Sequence, residues 1–408
     1  MKFRLPGLRT PQAKDMAASQ HTEAKSGAPL VALQFTDAGL NAVWSGRDFG
    51  ALSREGYQKN AVVFRCVRLI AEAAASVPVC VRRGETCEDG DPAERLLTRG
   101  HPGASAEDVM EQFYGLLQVS GNGYLEAAMV DGVPVALYAL RPDRVKTLSD
   151  KSGWPCGYEY ETGGHRRSFR IDTATGRSAV FHAKLFNPLD DGCGHSPLAA
   201  AASAVDIHNA GGRWTKALLD NAARPSGALI YKGASGAERL SDEQFERLKT
   251  ELEGAHAGAS NAGRPMVLEG GLDWKAMSFS PADMDFMEAR RDAARDIALA
   301  FGVPPMLLGI PGDNTYSNYK EANLAFWRQT IIPLVSKTTR GMERWLQAFY
   351  GDDLRLVLEL DKVSALTDER GRLWERLGAA NFISDAERRS LAGLPEQAAA
   401  QKNGASHG

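Results

Sequence analysis

Hydrophobic and polar positions alternate most legibly between Ser280 and Tyr350. Ser280-Pro281-Ala282-Asp283 supplies a capping hydroxyl, a proline at the first helical position and an acid in the first turn. Phe286, Ala289, Ala293, Ile297 and Ala300 then recur at three- and four-residue spacing. This predicts an amphipathic helix over 282–302 with one apolar stripe and one densely charged face. Gly302 ends the pattern, and Pro304-Pro305 forbids its continuation. Residues 309–318 carry two glycines, a proline, an aspartate and two asparagines without periodicity, which predicts a loop. Helical spacing returns over 319–349, with Leu324, Trp327, Ile331, Leu334, Thr338, Met342, Trp345 and Phe349 on one side. Pro333 predicts a kink in that long helix.

The rest of the chain is read around this stretch. Residues 1–60 form an N-terminal arm whose first thirty or so, rich in Ala, Ser, Gly, Pro and Lys, are expected to be disordered. Val62–Ala75 reads as a helix stopped by Val77-Pro78, with a strand, Val79–Arg82, directly after it. Ala106–Val119 is helical with Val109, Phe113, Leu116 and Leu117 inward, and Asp131-Gly132 joins two strand-like runs as a hairpin. Short strands continue to Phe186, so residues 61–195 form an α+β domain. Ser196-Pro197 repeats the cap-plus-proline device and opens a helix expected to run through Arg224, weakened in the middle by Gly211-Gly212 and stopped by Pro225.

Between the two capped helices, residues 225–281 make a small α/β insert. Ala228–Tyr231 and Pro265–Leu268 read as strands, Leu272–Trp274 as a possible third, and Ser241 with Gln244 as a capping box stapled by Leu240 and Phe245. Leu354–Leu360 reads as a strand returning to the sheet of residues 61–195. Leu366–Leu391 reads as helical in two pieces, one capped at Ser384, before a disordered tail, 396–408.

Composition narrows the function classes. The chain has 408 residues, 43% of them hydrophobic, enough for two or three compact domains. Its 48 basic and 51 acidic residues argue against a protein that grips nucleic acid over its whole surface, so DNA contacts should be weak or local. Five cysteines, with no CxxC pair, support neither a disulfide framework nor a zinc ribbon and fit a reducing cytoplasm. No apolar run has signal-peptide character or the roughly 18 residues needed to cross a bilayer, so neither export nor a membrane partner is expected.

Candidate chemistry is sparse. There is no GxxxxGK[ST] loop, HExxH, GxSxG or dinucleotide glycine pattern, and no cofactor or metal is expected. Asp190-Asp191, Cys193 and His195 lack a second ligand cluster and read as a turn before the Ser196 cap. Asp283 and Asp285 point to different sides of their helix, which favours helix-start stabilisation over a carboxylate pair.

The order of elements, together with Gly194-His195-Ser196-Pro197-Leu198, Arg224-Pro225-Ser226-Gly227, the segment from Asn261 to Gly271 and Phe301-Gly302-Val303-Pro304-Pro305-Met306-Leu307-Leu308-Gly309, resembles the HK97-type phage portal family. Thr315-Tyr316-Ser317-Asn318 followed by Glu321-Ala322-Asn323 and Phe326-Trp327 is similar to its prophage and gene-transfer-agent branch. The resemblance spans about Phe64 to Pro395, and it departs from the family before Pro225, where an Asn-Gly pair is common, and in a short crown.

It implies an α+β portal-type protomer. The wing would be 61–195 completed by 350–363, the helical stem 196–224 and 282–302, and the small α/β clip 225–281. A tunnel loop, 303–318, a long kinked helix, 319–349, and a short helical crown, 364–395, would follow. The implied protein is no enzyme. It is a dodecameric ring at one capsid vertex, a channel for DNA packaging and ejection, with terminase large subunit, head–tail adaptor and major capsid protein as partners. Its location would be a virion or phage-like particle assembled in the bacterial host cytoplasm.

Asp313, Asn314, Thr315, Tyr316, Ser317 and Asn318 are the DNA-facing candidates, since the loop has no Lys or Arg to brake sliding DNA. Glu288 with Arg291 and Asp292 with Arg295, three apart on one helix, are candidates for pairing within or between subunits. The competing expectations are a hydrolase-type enzyme using Ser196 or Cys193, and another ring-forming head–tail adaptor.

Overall fold

The computed structural model describes residues 44–84, 86–87, 90–220, 226–231, 272–277, 281–310, 316–380 and 382–392, with a few single positions between 241 and 250. Within residues 44–60, expected to be arm, Phe49–Gln58 are helical. Asp48 caps α1 (Phe49–Ala51), which continues as a π-helical run, Leu52–Gln58. Ser45 donates its N–H and its hydroxyl to the Asp206 carboxylate at 3.0 and 2.6 Å. Gly56 lies so close to Leu198 that a Cβ there would come within 2.9 Å of its side chain. These partners lie far along the chain, so local pattern does not reveal them.

Asn60 is buried and caps α2 (Ala61–Ala75) by accepting from the N–H groups of Val62 and Val63. A chain turn at Val77-Pro78 leads into β1 (Val79–Arg83), paired with the short β2 (Thr86–Cys87). Cys80 on β1 is disulfide-bonded, contrary to the expectation of a fully reduced set, while Cys66, Cys156 and Cys193 are free thiols. Two helices follow, α3 (Pro92–Arg99) and α4 (Ala106–Ser120), the latter opened by a reciprocal capping box between Ser105 and Asp108. Val109, Phe113 and Leu117 are fully buried on α4.

The hairpin of β3 (Asn122–Val130) and β4 (Val133–Leu140) turns at Asp131 and Gly132, both with positive φ, as a two-residue hairpin loop of this kind requires. Three further strands, β5 (Val145–Ser149), β6 (Pro155–Thr162) and β7 (His165–Arg170), form their own antiparallel sheet in that order. The strand β8 (Val180–Lys184) pairs with β3, giving the order β4-β3-β8.

At one end of that sheet two backbones nearly touch. Gly121 ends α4 in the left-handed region, and a Cβ on Gly194 would fall 2.1 Å from the Gly121 carbonyl oxygen. Only glycine fits there. Asn122 completes the joint, its Oδ1 accepting from Gly194 N–H at 2.7 Å and lying 3.0 Å from His182 Nε2.

The helix expected over 198–224 is two pieces, α5 (Pro197–Ala200) and α6 (Ala202–Asp220), separated at Ala201. Ser196 caps α5 as the sequence predicts, accepting from Leu198 and Ala199 N–H. Within the insert, β9 (Ser226–Tyr231) pairs antiparallel with β10 (Leu272–Met277), so the segment read as a possible third strand is the observed partner. The expected strand 265–268, and Gln244 and Phe245 of the expected capping box, lie outside the described residues.

Beyond the insert come α7 (Pro281–Ala300), a 3-10 turn at Pro305–Leu308, and α8 (Tyr316–Phe326). A π-helical stretch, Trp327–Ile331, joins α8 to α9 (Ile332–Tyr350). The long helical run thus begins at Tyr316, three residues before the expected start. Its irregularity sits just ahead of Pro333: Ile332 N–H bonds to the Trp327 carbonyl, shifting the bonding frame by one residue before the residue that has no N–H to offer.

The strand β11 (Leu354–Leu358) pairs antiparallel with β1, from Val79 opposite Leu358 to Arg83 opposite Leu354. Glu343 of α9 ties it down by accepting Leu356 N–H at 2.8 Å. The chain closes with α10 (Thr367–Ala379) and α11 (Asp385–Leu391).

One hydrophobic core runs through α2, α4, the β3 and β8 strands, the C-terminal half of α7, α9 and β11. Trp327, Ile331, Thr338, Met342 and Trp345 all point into it from the long helix. Tyr114 and Thr338 share a buried hydroxyl bond of 2.8 Å, and Trp345 Nε1 donates to the Ser178 carbonyl at 2.8 Å, so these three polar side chains are satisfied in the core. A small second cluster, Tyr124, Leu140, Tyr158, Tyr160 and Val180, fixes the β5-β6-β7 sheet to the first.

Candidate functional site

Two long helices, α6 and α7, pack along each other and carry the strand pair β9–β10 between them in sequence. Their contact is close because Gly211 presents no side chain: a Cβ there would lie 3.3 Å from Arg290 Cβ. One turn further on, the rings of Trp214 and Phe286 stack at 5.5 Å, and the Thr215 hydroxyl reaches Met287 Sδ at 3.9 Å.

The predicted stripe on α7 is therefore split. Ala293 and Ile297 are buried, whereas Phe286 is 52% exposed and Ala289 is exposed. The reason is layering: near Ile297 the helix sits on the main core, while near Phe286, among the described residues, it is α6 that lies against it. Ile207, Met287 and Leu299 also leave apolar surface open, with Leu299 at 78%. Sequence pattern misses Leu299 because it falls outside the stripe that faces the core.

Glu288, Arg291, Asp292 and Arg295 all lie on the exposed face of α7. Arg295 and Asp292 form an ion pair at 3.3 Å, worth little within one exposed helix. The pairing of Glu288 with Arg291 is not among the described ion pairs, and both side chains face solvent.

The end of α7 is built by Gly302. Its φ of +65° lets Gly302 N–H bond back to the Leu299 carbonyl at 3.0 Å and Val303 N–H to Ala298 at 2.9 Å, satisfying carbonyls that a helix end leaves open. Val303 is buried, and Pro304 leads into the 3-10 turn, which stops at Gly309. Of the candidate loop residues, Asp313, Asn314 and Thr315 lie outside the described residues. Tyr316, Ser317 and Asn318, expected in the loop, form the first turn of α8, and Asn318 is exposed. The helix α8 thus takes in the last three residues expected in the loop.

The second cluster singled out by sequence is a turn. Asp190 Oδ1 accepts from Gly192 and Cys193 N–H at 2.7 and 3.1 Å, and Asn187 Nδ2 donates to the Cys193 carbonyl at 3.1 Å. Burial pushes the Cys193 thiol above its ordinary pKa, with the nearby Asp190 charge adding to it, which disfavours the nucleophilic thiolate. Ser196 Oγ donates to the Gln118 carbonyl at 3.0 Å while capping α5, so its hydroxyl is used structurally.

A paired-helix shaft, rooted in an α+β body and holding a small strand pair, is what this arrangement amounts to. The family model for phage portal proteins matches residues 61–393, which takes in all of these elements. The chain belongs to the phage portal protein family. Among solved structures, a chain from the neck of an empty gene transfer agent particle, computed with C6 symmetry, is 50% identical. That match has a TM-score of 0.71 and covers 86% of this chain and 95% of the other. A chain from the neck of the native particle, computed with C12 symmetry, is 50% identical over the same shares with a TM-score of 0.69. The portal protein of Enterobacteria phage HK97 is 26% identical over 300 residues, 70% of this chain and 66% of the HK97 protein. The elements of this portal-family chain that face solvent with apolar or charged side chains are therefore the ones to weigh for function.

Proposed function

We propose that this portal-family chain is the head–tail connector subunit of a phage-like particle. Twelve copies form a ring at one capsid vertex, and double-stranded DNA passes through its channel during packaging and ejection. The observation that carries the reading is the 50% identity, over most of both chains, to a subunit of a gene transfer agent neck computed with C12 symmetry. In this reading α6 and α7 are the stem, and the exposed apolar side chains of Ile207, Met287 and Leu299 are covered by neighbouring copies. Glu288, Arg291, Asp292 and Arg295 lie where charges can pair across subunits.

The remaining parts are assigned as the family resemblance implies. The insert carrying β9 and β10 is the clip, which meets the terminase large subunit and later the head–tail adaptor. Residues 61–195 with β11 are the wing, next to the major capsid protein, and α10 and α11 are the crown. The loop between Gly309 and α8 lines the channel, with Asp313, Asn314, Thr315, Tyr316, Ser317 and Asn318 as its DNA-facing residues. Its polar and acidic character lets DNA slide, because each phosphate bound by Lys or Arg releases counterions and adds affinity. The protein assembles in the bacterial host cytoplasm and ends in the particle, and catalysis is left to the motor chain.

Native mass spectrometry and negative-stain imaging of the purified full chain test the reading. The expected result is a twelve-fold ring with a central hole. A stable monomer that hydrolyses a model ester would overturn it.

A further inference from the structure

A cavity of about 460 Å³ lies where α3, α4, the long helix α9 and the β1–β11 strand pair come together. Its inner wall is apolar, made by Met110 of α4, Val335 and Met342 of α9 and Leu356 of β11. Methionine side chains adapt to what they cover, so such a wall accepts bodies of differing outline. Thr339 of α9 also lines the cavity and is only 7% exposed. Among the described residues its hydroxyl has no hydrogen-bond partner, whereas the hydroxyl of the adjacent Thr338 is bonded to Tyr114 and to the Leu334 carbonyl. A buried hydroxyl in that state favours a ligand that supplies the missing bond.

The side open to solvent is acidic. Glu94 of α3, Glu107 of α4 and Glu359, just after β11, converge there from three elements. Glu107 is exposed, while Glu94 and Glu359 are half-buried. Lys362 is the one cation among the described lining residues, and it is bonded to Glu359 at 2.7 Å. Glu94 accepts Gly90 N–H at 2.6 Å, which occupies one of its oxygens. The other cations of α3, β1, α9 and β11 do not line the cavity, and Arg83 among them is held by Asp91 and Asp353. The mouth therefore keeps an excess of negative charge.

We propose that this cavity binds a small amphipathic amine, an apolar or aromatic body with a protonated amine at one end and a hydroxyl at the other. The ammonium meets the carboxylates at the mouth, the body lies against Met110 and Met342, and the hydroxyl bonds to Thr339 in the depth. The volume is of the size that small-molecule sites have. Selectivity arises in two ways. The carboxylates reject anions, and Thr339 discriminates against a body without the hydroxyl, because its own group would then stay unpaired. The site goes beyond the connector reading and does not depend on ring formation.

The test is isothermal titration calorimetry of the full chain with tyramine, with phenethylamine, which lacks the hydroxyl, and with hydroxyphenylpropanoate, which carries an acid in place of the amine. Tyramine is expected to saturate a single site, phenethylamine to bind about 2- to 10-fold more weakly, and the propanoate to show no binding. Thr339→Val should lower tyramine affinity by about 2- to 10-fold and leave phenethylamine unchanged, a split that a merely structural effect on α9 would not produce. Thr339→Ser should keep the preference for tyramine. Glu107→Gln should weaken both amines by about 1.5- to 5-fold, while Glu111→Gln, on the same helix but outside the cavity, should leave both unchanged.

Three results would overturn the proposal: no saturable tyramine binding at millimolar concentration, propanoate binding as tight as that of tyramine, or equal losses for tyramine and phenethylamine in Thr339→Val. Melting curves show whether each variant is folded. Should Thr339→Val not fold, the exposed Glu107→Gln decides, and unchanged affinity for both amines in that variant rejects the site.

Discussion

Thr330 donates its hydroxyl to the Gly302 carbonyl at 2.6 Å, joining the end of α7 to the π-helical turn of the long helix. The two residues meet closely enough that a Cβ on Gly302 would lie 2.9 Å from Thr330 Oγ1. Gly302→Ala therefore faces both a positive φ, costing about 1–2 kcal/mol, and a clash with its own hydrogen-bond partner. Thr330→Val should cost about 1 kcal/mol for the lost bond. Denaturant midpoints of the two single variants and the double variant will show a combined loss smaller than the sum. A Gly302→Ala protein as stable as the parent would refute this account of the joint.

Arg83 holds three partners at the β1–β11 edge: Asp91 Oδ2 and Asp353 Oδ1, each at 2.7 Å, and the Tyr350 carbonyl at 3.2 Å. Asp91 is buried and caps α3, so Arg83→Ala leaves its carboxylate buried without its ion-pair partner. The expected loss is about 2–4 kcal/mol, read as a lowered Tm. Arg83 also holds the Asp353 carboxyl below its usual range, chiefly by hydrogen bonding. A depressed acid stabilises the fold above its unfolded pKa and loses that contribution as pH falls through the folded value. Arg83→Gln should flatten the acid limb of a Tm-versus-pH profile.

His182 is stacked on Tyr124 at 4.2 Å and edged by Tyr158 at 5.7 Å. Burial pushes its pKa down from 6.5 to about 3, with the Lys184 charge adding to it. The unfolded chain then takes a proton near pH 6.5 that the native state refuses until about pH 3. Its contribution is fully present above pH 6.5, falls as pH drops, and levels off below about 3. At pH about 4.5 the loss should be about 2–3 kcal/mol, at roughly 1.4 kcal/mol per pH unit. His182→Phe should remove that part of the decline, measured by denaturant titration at several pH values.

Deleting residues 311–315 shortens the proposed channel loop while leaving α8 intact from Tyr316. Rings of normal mass are expected, with reduced DNA packaging or retention in particles. Packaged length and retention equal to the parent would remove the loop from the channel role.

Charge reversal at Arg291 tests the proposed contact between copies. Arg291 is exposed, so Arg291→Glu should leave the monomer's unfolding free energy nearly unchanged, within about 0.5 kcal/mol. Ring assembly should weaken most at low salt, where the charges are least screened. Assembly identical to the parent at every salt concentration would confine Arg291 to its own helix.

Much of this fold is legible wherever the controlling physics is local. Ser196 caps a helix because its hydroxyl reaches N–H groups two and three residues ahead, and Gly302 ends one because of its own φ. Asp131 and Gly132 close a hairpin for the same reason. The spacing of Trp327, Ile331, Thr338, Met342 and Trp345 is a helix property, and all five are buried. The family resemblance was likewise carried by short runs whose order along the chain is itself sequence information.

Other features depend on residues that meet only after folding. Nothing around Ser45 or Gly56 announces that they dock on Asp206 and Leu198, so residues 44–60 pass for arm. Phe286 belongs to the predicted stripe, yet it is half-exposed because the core stops short of it. Pro333 signals an irregularity, but that it takes the form of a π turn follows from the packing of the long helix. By itself the sequence determined the caps, the stops, the apolar periods and the family, because each is written in neighbouring residues. The tertiary structure alone decided which apolar faces stay open and which charges converge, because burial and proximity are properties of elements brought together from distant parts of the chain.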